Sequence, residues 1–290
     1  MIEAKIIEDS INENGVRLTT MQLKYQRFIH AEAKTHRILS QSSAEYEVVL
    51  TQDESLMSDK SFSRNASSSR AIPVAKMIEQ VCNDPAMPVH WGKNQSGMQA
   101  KAELVGHDLR TAKALWRDAA IVAADLAEEL ASTGAHKQIV NRILEPFQWI
   151  HVVVTATEWE NFYALRDHPD AQPEIQALAQ AMKAAHDAST PKLLKDGEWH
   201  IPYVSQAERD QYSLKDTLKF SAARCARVSY LNHDQSNPTP EKDIDLHDKL
   251  VKSVPAHMSP VEHQAQSRLE KKFYANFNGF KSYRKYLEEM

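Results

Sequence analysis

Apolar and polar residues alternate through MIEAKIIEDSIN and again through VRLTTMQLKYQRF, on either side of Asn14-Gly15. A period of two marks half-buried strands, and Asn-Gly between two such runs marks a hairpin turn. The second strand is predicted to run from Leu18 to Phe28. A short helix carrying His30, Lys34, His36 and Arg37 is expected to begin near Ile29. Residues 38–61 are polar without a clear period and are expected to form a loop. Pro73 opens a predicted helix, PVAKMIEQVCND, because proline costs little in a first turn. Pro85, Pro88 and Gly97 punctuate the loop that follows. The clearest helix is expected from Met98 to Leu130, on the spacing of Leu104, Leu109, Ala112, Leu115, Trp116, Ala119 and Val122, with Gly134 as its stop. HKQIVNRILEPF reads as a short helix ending at Pro146. WIHVVVTATEW is β-branched and aromatic, the composition of a strand near the core.

ENFYALR is then expected to be helical, and Pro173 opens QPEIQALAQAMKAAHDAS. Residues 191–213 look irregular. LKFSAARCARVSY reads as a helix entering a short extended piece, and 241–254 as another helix. HMSPVEHQAQ and a polar tail over 264–290 close the chain. No repeat or composition break divides it. The expected class is α/β or α+β, one domain with a mixed central sheet and long helices.

Charge changes this picture little. Thirty-five basic against thirty-nine acidic residues give a formal charge of -4. Bulk charge therefore gives no reason to expect a nucleic-acid partner. No apolar run approaches the roughly 18 residues of a membrane span. The N-terminal residues do not form a secretory signal, and two cysteines, Cys82 and Cys225, make no disulfide framework. A cytoplasmic location with no stable nucleic-acid or membrane partner is expected. Only 7 glycines argue against several glycine-rich phosphate loops.

Familiar catalytic motifs are absent: no CxxC, HExxH or G-x-S-x-G. His257 and His263 lie six apart without further ligand spacing, so no metal site is expected. Cys225, in an alanine-rich helical patch, reads as a small buried hydrophobe rather than a nucleophile. The dense chemistry is elsewhere. His36-Arg37 is followed by Ser63-Arg64-Asn65 and Ser67-Ser68-Ser69-Arg70, with Arg142 and Arg166 further on. Arginine forks match phosphate, and serines with adjacent amides complete an anion site. These residues suggest a phosphorylated small-molecule ligand; the competing reading is a set of solvated arginines beside a serine-rich turn.

THR at 35–37, SFSRNASSSR at 61–70, NRILEPF at 141–147 and TEWENFYALRDHPDAQPEI at 157–175 together resemble the flavin-dependent thymidylate synthases. That family's signature has the form RHRxxSxNExSxRY. Here THR stands for RHR, a long insertion follows, and SRNASSSR stands for SxNExSxR. SAARCARVSY at 221–230 resembles the family's "VRAARVSF", and HMSPVEH at 257–263 resembles "HxTPFEH". Family members carry both near their N-termini, before the strand that TTMQLKYQRFI matches. Here both follow the signature, so the chain resembles a circular permutant.

The resemblance implies a homotetramer with active sites between subunits. It implies FAD as cofactor, NADPH as reductant, and reductive methylation of dUMP by 5,10-methylenetetrahydrofolate. His36, Arg37, Asn65, Thr155, Asn161 and His263 correspond to positions on the flavin side. Glu32, Ser68, Ser69, Arg70, Arg142 and Arg166 correspond to the nucleotide side, with Arg166 orienting and polarising the pyrimidine. The chain departs from the pattern at Thr35, Ala66, Ser67 and Ala71, where the family has arginine, glutamate, a hydrophobic residue and tyrosine. Glu32 stands for a nucleotide-contacting glutamine and Thr155 for a flavin-contacting asparagine. Either Glu32 or Glu45 could replace the missing signature carboxylate. The departures leave open a related synthesis of 5-hydroxymethyl-dUMP, and a non-enzymatic phosphate-binding protein is the remaining alternative.

Overall fold

The computed structural model describes residues 1–30, 62–97, 99–228 and 239–289. The expected helix beyond Ile29 and the expected loop at 38–61 lie outside them. The N-terminal hairpin forms as its alternation predicts: β1 (Glu3–Asn12) pairs antiparallel with β2 (Arg17–Gln26). Gly15, at φ 79°, takes the left-handed turn position that side chains disfavour. β2 stops two residues before the expected Phe28, where Arg27–Ile29 tighten into a 3-10 turn.

The hairpin extends into a mixed sheet. β3 (Phe62–Ala66) and β4 (Trp149–Ala156) add antiparallel strands on the β2 side. β5 (Lys192–Leu194) adds a parallel strand beside β1, giving the order β3-β4-β2-β1-β5. β4 is central, as its β-branched run predicts. On one sheet face, Met21, Leu23, Tyr25, Ile150, Val152 and Ala156 bury against α4 (Glu160–Arg166) and α5 (Pro173–Asp187), through Trp159, Phe162, Ile175 and Leu178.

Between β3 and β4 the chain makes a helical layer. α1 (Val74–Asn83) starts after Pro73 as expected. α2 spans Gly106–Ser132, and α3 is the single turn Lys137–Val140. The long helix thus begins eight residues later than Met98. The residues before it are held by a bridge between Gly92 and Glu103, with Leu104 N–H donating to Trp91 O at 2.8 Å. Its buried side also differs from expectation. Ala120, Ala123, Ala124 and Ala127 face α1, while Leu115, Val122 and Leu126 stay 63%, 55% and 50% exposed.

The C-terminal third covers the other sheet face. β6 (Trp199–His200) lies within the segment expected to be irregular, followed by α6 (Gln206–Gln211), started by a Ser205/Glu208 capping box. α7 (Leu214–Arg227) and α8 (Pro240–Lys252) match the predicted helices. Residues 264–289, expected as a polar tail, form short elements with a buried apolar core. β7 (Ala265–Ser267), β8 (Phe273–Tyr274), β9 (Phe277–Asn278), β10 (Phe280–Ser282) and α9 (Tyr283–Glu288) fold back onto the hairpin. Phe277 and Phe280 are fully buried with Leu18 and Leu194. Asn12 clasps this segment: Nδ2 donates to Gly279 O at 3.2 Å, while Oδ1 accepts from Val16 N–H at 2.9 Å. A Cβ at Gly279 would sit 2.7 Å from Asn12 Nδ2, so glycine is required sterically as well as by its φ of 65°.

Candidate active site

The covered sheet face carries polar residues where a buried face ordinarily carries Val or Ile. Pairing sets them side by side: Thr20 opposite Thr155, Ser63 opposite Thr155, and Asn65 opposite Val153. Two histidines from the covering layer complete a hydrogen-bonded chain. Ser10 Oγ meets His200 Nδ1 at 2.8 Å, and His200 Nε2 meets Thr20 Oγ1 at 2.8 Å. Thr20 Oγ1 meets Thr155 Oγ1 at 2.7 Å, and Thr155 Oγ1 meets His263 Nδ1 at 2.8 Å. All five residues are buried. His263 Nε2, at the end of the chain, is buried without a partner. Burial pushes both imidazoles down to about 3, so both are neutral near pH 7.

Neighbouring groups frame this chain. Gln264 Nε2 donates to Ser221 Oγ at 2.9 Å and approaches Cys225 Sγ at 3.7 Å. Cys225 is buried, and burial pushes its thiol up, which removes the thiolate a nucleophile needs. Asn276 Nδ2 donates to Ser63 Oγ at 3.0 Å, and Arg284 pairs with Glu262, closing the C-terminal segment over β3.

Asn65 Nδ2 lies on the same face and is buried without a partner. α4 leaves β4 through Trp159 and presents two further such atoms, Asn161 Nδ2 and Arg166 Nε. An unmade hydrogen bond to a buried donor costs about 1–3 kcal/mol, more when the group is charged. Four of the residues singled out from the sequence, Asn65, Asn161, Arg166 and His263, therefore hold polar atoms that a ligand could satisfy.

The serine-arginine segment forms a second group, at the opposite end of β4. Ser67 N–H donates to His151 O at 2.7 Å, and the chain turns so that Ala71 N–H reaches Ser68 O at 3.0 Å. Asn141 Nδ2 fastens the turn through Ser69 O at 2.6 Å and Ile72 O at 2.9 Å. Ser69 Oγ donates to Glu145 Oε1 at 2.8 Å, and Arg142 Nη1 donates to the same oxygen at 2.9 Å. Arg27 lies 3.1 Å from it. Glu145 thus holds, from within the chain, donors that would suit a phosphate. Ser68 is half-buried; Arg70 is exposed and forms no ion pair with any described residue.

Thr155 and His263 are thus brought together, with Asn65 on the same sheet face; Ser69 and Arg142 meet at Glu145, with Ser68 and Arg70 in the same turn. Ser67 sits opposite His151, four residues from Thr155, or about 13 Å along a strand. No hydrogen bond or ion pair joins the two groups among the described residues. Glu32, His36, Arg37 and Glu45 lie outside the described residues. Sequence reasoning missed Ser10, Thr20, His200, Arg27 and Glu145. A threonine at an inward strand position was the one available signal for Thr20; His200 and Glu145 gave none.

Family membership is shown by the sequence itself. The family model of the thymidylate synthase complementing protein matches residues 17–192. That is more than half of the chain, and the protein belongs to this family. Among solved structures, the chain is similar to the UMP/dUMP methylase PolB from Streptomyces cacaoi bound with 5-Br dUMP: 13% identity, TM-score 0.44, covering 64% of this chain and 90% of that one. The same methylase bound with 5-Br UMP gives 12% identity and a TM-score of 0.45, covering 64% and 88%. Thymidylate Synthase X from Helicobacter pylori with FAD and dUMP gives 18% and 0.35, covering 58% and 67%. At these identities none of the three bears on what this chain binds. No curated protein matches its sequence. Among the described residues, no helix is long and apolar enough to cross a membrane.

Proposed function

We propose that this protein transfers a one-carbon unit from 5,10-methylenetetrahydrofolate to C5 of dUMP and reduces it, giving dTMP, with FAD as cofactor and NADPH as reductant. One observation carries the reading beyond family membership. The buried, unpartnered atoms Asn65 Nδ2, Asn161 Nδ2, Arg166 Nε and His263 Nε2 fall on positions that the resemblance assigns to flavin or nucleotide contacts. N–H donors of these kinds suit a flavin, whose ring system offers carbonyl oxygens and ring nitrogens as acceptors. FAD, when bound, would supply the hydride chemistry.

The remaining steps belong to the chain. Asn65, Asn161 and His263 hold the flavin side, with His36 and Arg37 completing it. Arg166 places a permanent positive charge where negative charge develops on the pyrimidine. Ser68, Ser69, Arg70 and Arg142 take the dianionic phosphate, and Ser69 and Arg142 release Glu145 to do so. Cys225, a buried thiol, attacks nothing.

The two groups at opposite ends of β4 support a site assembled from more than one chain, in a homotetramer. On α2, Leu115, Ala119, Val122 and Leu126 repeat with the four-three-four spacing of a helix-packing seam and are exposed. The permuted order finds support in the placement of HMSPVEH, which lies after the matched region yet brings His263 to 2.8 Å from Thr155 inside it.

The test is incubation with dUMP, methylenetetrahydrofolate, NADPH and FAD, followed by product mass. Thymidylate is the expected product. A product heavier by one oxygen would replace methylation with hydroxymethylation, the second reading that Ala66, in place of the signature glutamate, favours. A protein that binds no FAD and yields neither product overturns the enzymatic reading.

A further inference from the structure

The chain from Ser10 to His263 has a direction, and counting its hydrogens determines which. Each neutral imidazole carries one N–H, and each hydroxyl donates one hydrogen. Among the described residues, Ser10 Oγ has no partner other than His200 Nδ1. Suppose Ser10 donates to His200 Nδ1. His200 then carries its proton on Nε2 and donates to Thr20, Thr20 donates to Thr155, and Thr155 donates to His263 Nδ1. Every hydrogen is used until the last, the proton on His263 Nε2. In the reverse direction His263 Nδ1–H donates first and His200 Nδ1–H ends on Ser10. The Ser10 hydroxyl hydrogen is then buried with no acceptor, and His263 Nε2 is an unused lone pair. The first direction leaves the unmet donor on His263 Nε2, which the proposed function sets against a ligand; the second leaves it on Ser10, to which that reading gives no ligand.

We infer that Ser10, His200, Thr20 and Thr155 act as a tautomer lock that holds His263 as the neutral Nε2–H form, so that it serves the site as a hydrogen-bond donor and not as a base. The ligand group it meets is an acceptor, a carbonyl oxygen or an unprotonated ring nitrogen. The chain is not a proton conduit. For His263 to give up its Nε2 proton, each link would shift by one place and Ser10 would have to lose its own hydrogen. Among the described residues Ser10 meets no group that could resupply it, so the shift would end in a buried alkoxide. His200, Thr20 and Ser10 are positioning residues that act on the ligand through His263. The choice of direction rests on the proposed placement of His263 against a ligand; the tautomer is read with no ligand present, so its failure is distinct from failure of the nucleotide reading.

Histidine ring nitrogens of the full-length, 15N-labelled protein report the tautomer directly. The His263 signals are identified by their loss in His263→Gln. A pyrrole-type Nε2 with an attached proton and a pyridine-type Nδ1 are expected at neutral pH. A pyridine-type Nε2, or a mixture of both forms, overturns the lock. Ser10→Ala provides the long-range check, three side chains away from His263. Without the Ser10 hydroxyl, each direction strands one donor, so the His263 signals should move to a mixture of tautomers, and Ser10→Thr should restore one form. Unchanged His263 signals in Ser10→Ala overturn the chain as the cause. If that variant does not fold, the wild-type spectrum and Ser10→Thr still decide the case.

Discussion

The two faces of β2 and β4 are made by alternate residues of the same strands, yet they solve burial in opposite ways. On one, Met21, Leu23, Tyr25, Ile150 and Val152 meet α4 and α5 with apolar contact. On the other, Thr20, Thr155, Ser10 and two histidines fill the buried layer with hydrogen bonds in series. The apolar face needs no partner beyond close packing. The polar face is stable only while each donor finds an acceptor, and the series runs out at His263, whose Nε2 is buried without a partner. A function can be built from what a core leaves unmet, provided the opposite face carries enough packing to tolerate it.

Substitutions on the two faces should therefore differ in size and in kind. Ile150→Ala, in the apolar layer, should cost about 2–5 kcal/mol in urea unfolding; a loss below 1 would deny that this face carries the fold. Arg166→Ala removes a charge rather than packing. It should lower turnover about a hundredfold or more while flavin absorbance persists, and loss of flavin would move Arg166 to the other side of the site.

Acid probes the two histidines of the polar face. His200 and His263 titrate at about 3 when folded, against 6.5 ordinarily, so the unfolded state binds more protons between those values. Stability should be unaffected by these groups above pH 6.5. Below it, stability should fall by about 1.4 kcal/mol per pH unit for each histidine. Unfolding at a series of pH values checks this, and a flat profile from pH 7 to 5 breaks it. Thr155→Val should cost about 1–3 kcal/mol, since it orphans Thr20 and His263 together, whereas Thr155→Ser should cost less. Arg70→Ala should change stability by no more than about 0.5 kcal/mol, while raising the KM for dUMP about tenfold.

Much of the apolar face was legible in the sequence. The alternation around Asn14-Gly15 and the run of Val152, Val153 and Val154 placed three central strands, and Pro73 and Pro173 placed two helix starts. Helix α2 was misjudged at its beginning because pairing of Glu103 with Gly92 is a long-range event with no local signal. Its orientation was misjudged because large apolar residues are ordinarily read as inward. Here small alanines face α1, which lets the two helices approach closely. The C-terminal strands escaped notice because elements of two or three residues have no period to detect. Resemblance located Thr155 and His263 separately. Their connection to residues 10, 20 and 200 arises only when four distant segments meet.

The clasp between Asn12 and Gly279 has a consequence for biosynthesis. The first hairpin can form its own turn as soon as it leaves the ribosome, but its outer packing cannot be finished then. Leu18 waits for Leu194, Phe277 and Phe280. Until translation has passed Phe280, the cluster that packs Leu18 is incomplete, although His200 and His263 of the polar face have already been made. Closure of the N-terminal strands is thus timed by the most C-terminal core residues. Chaperone dependence and proteolytic sensitivity of nascent chains should drop together at that point.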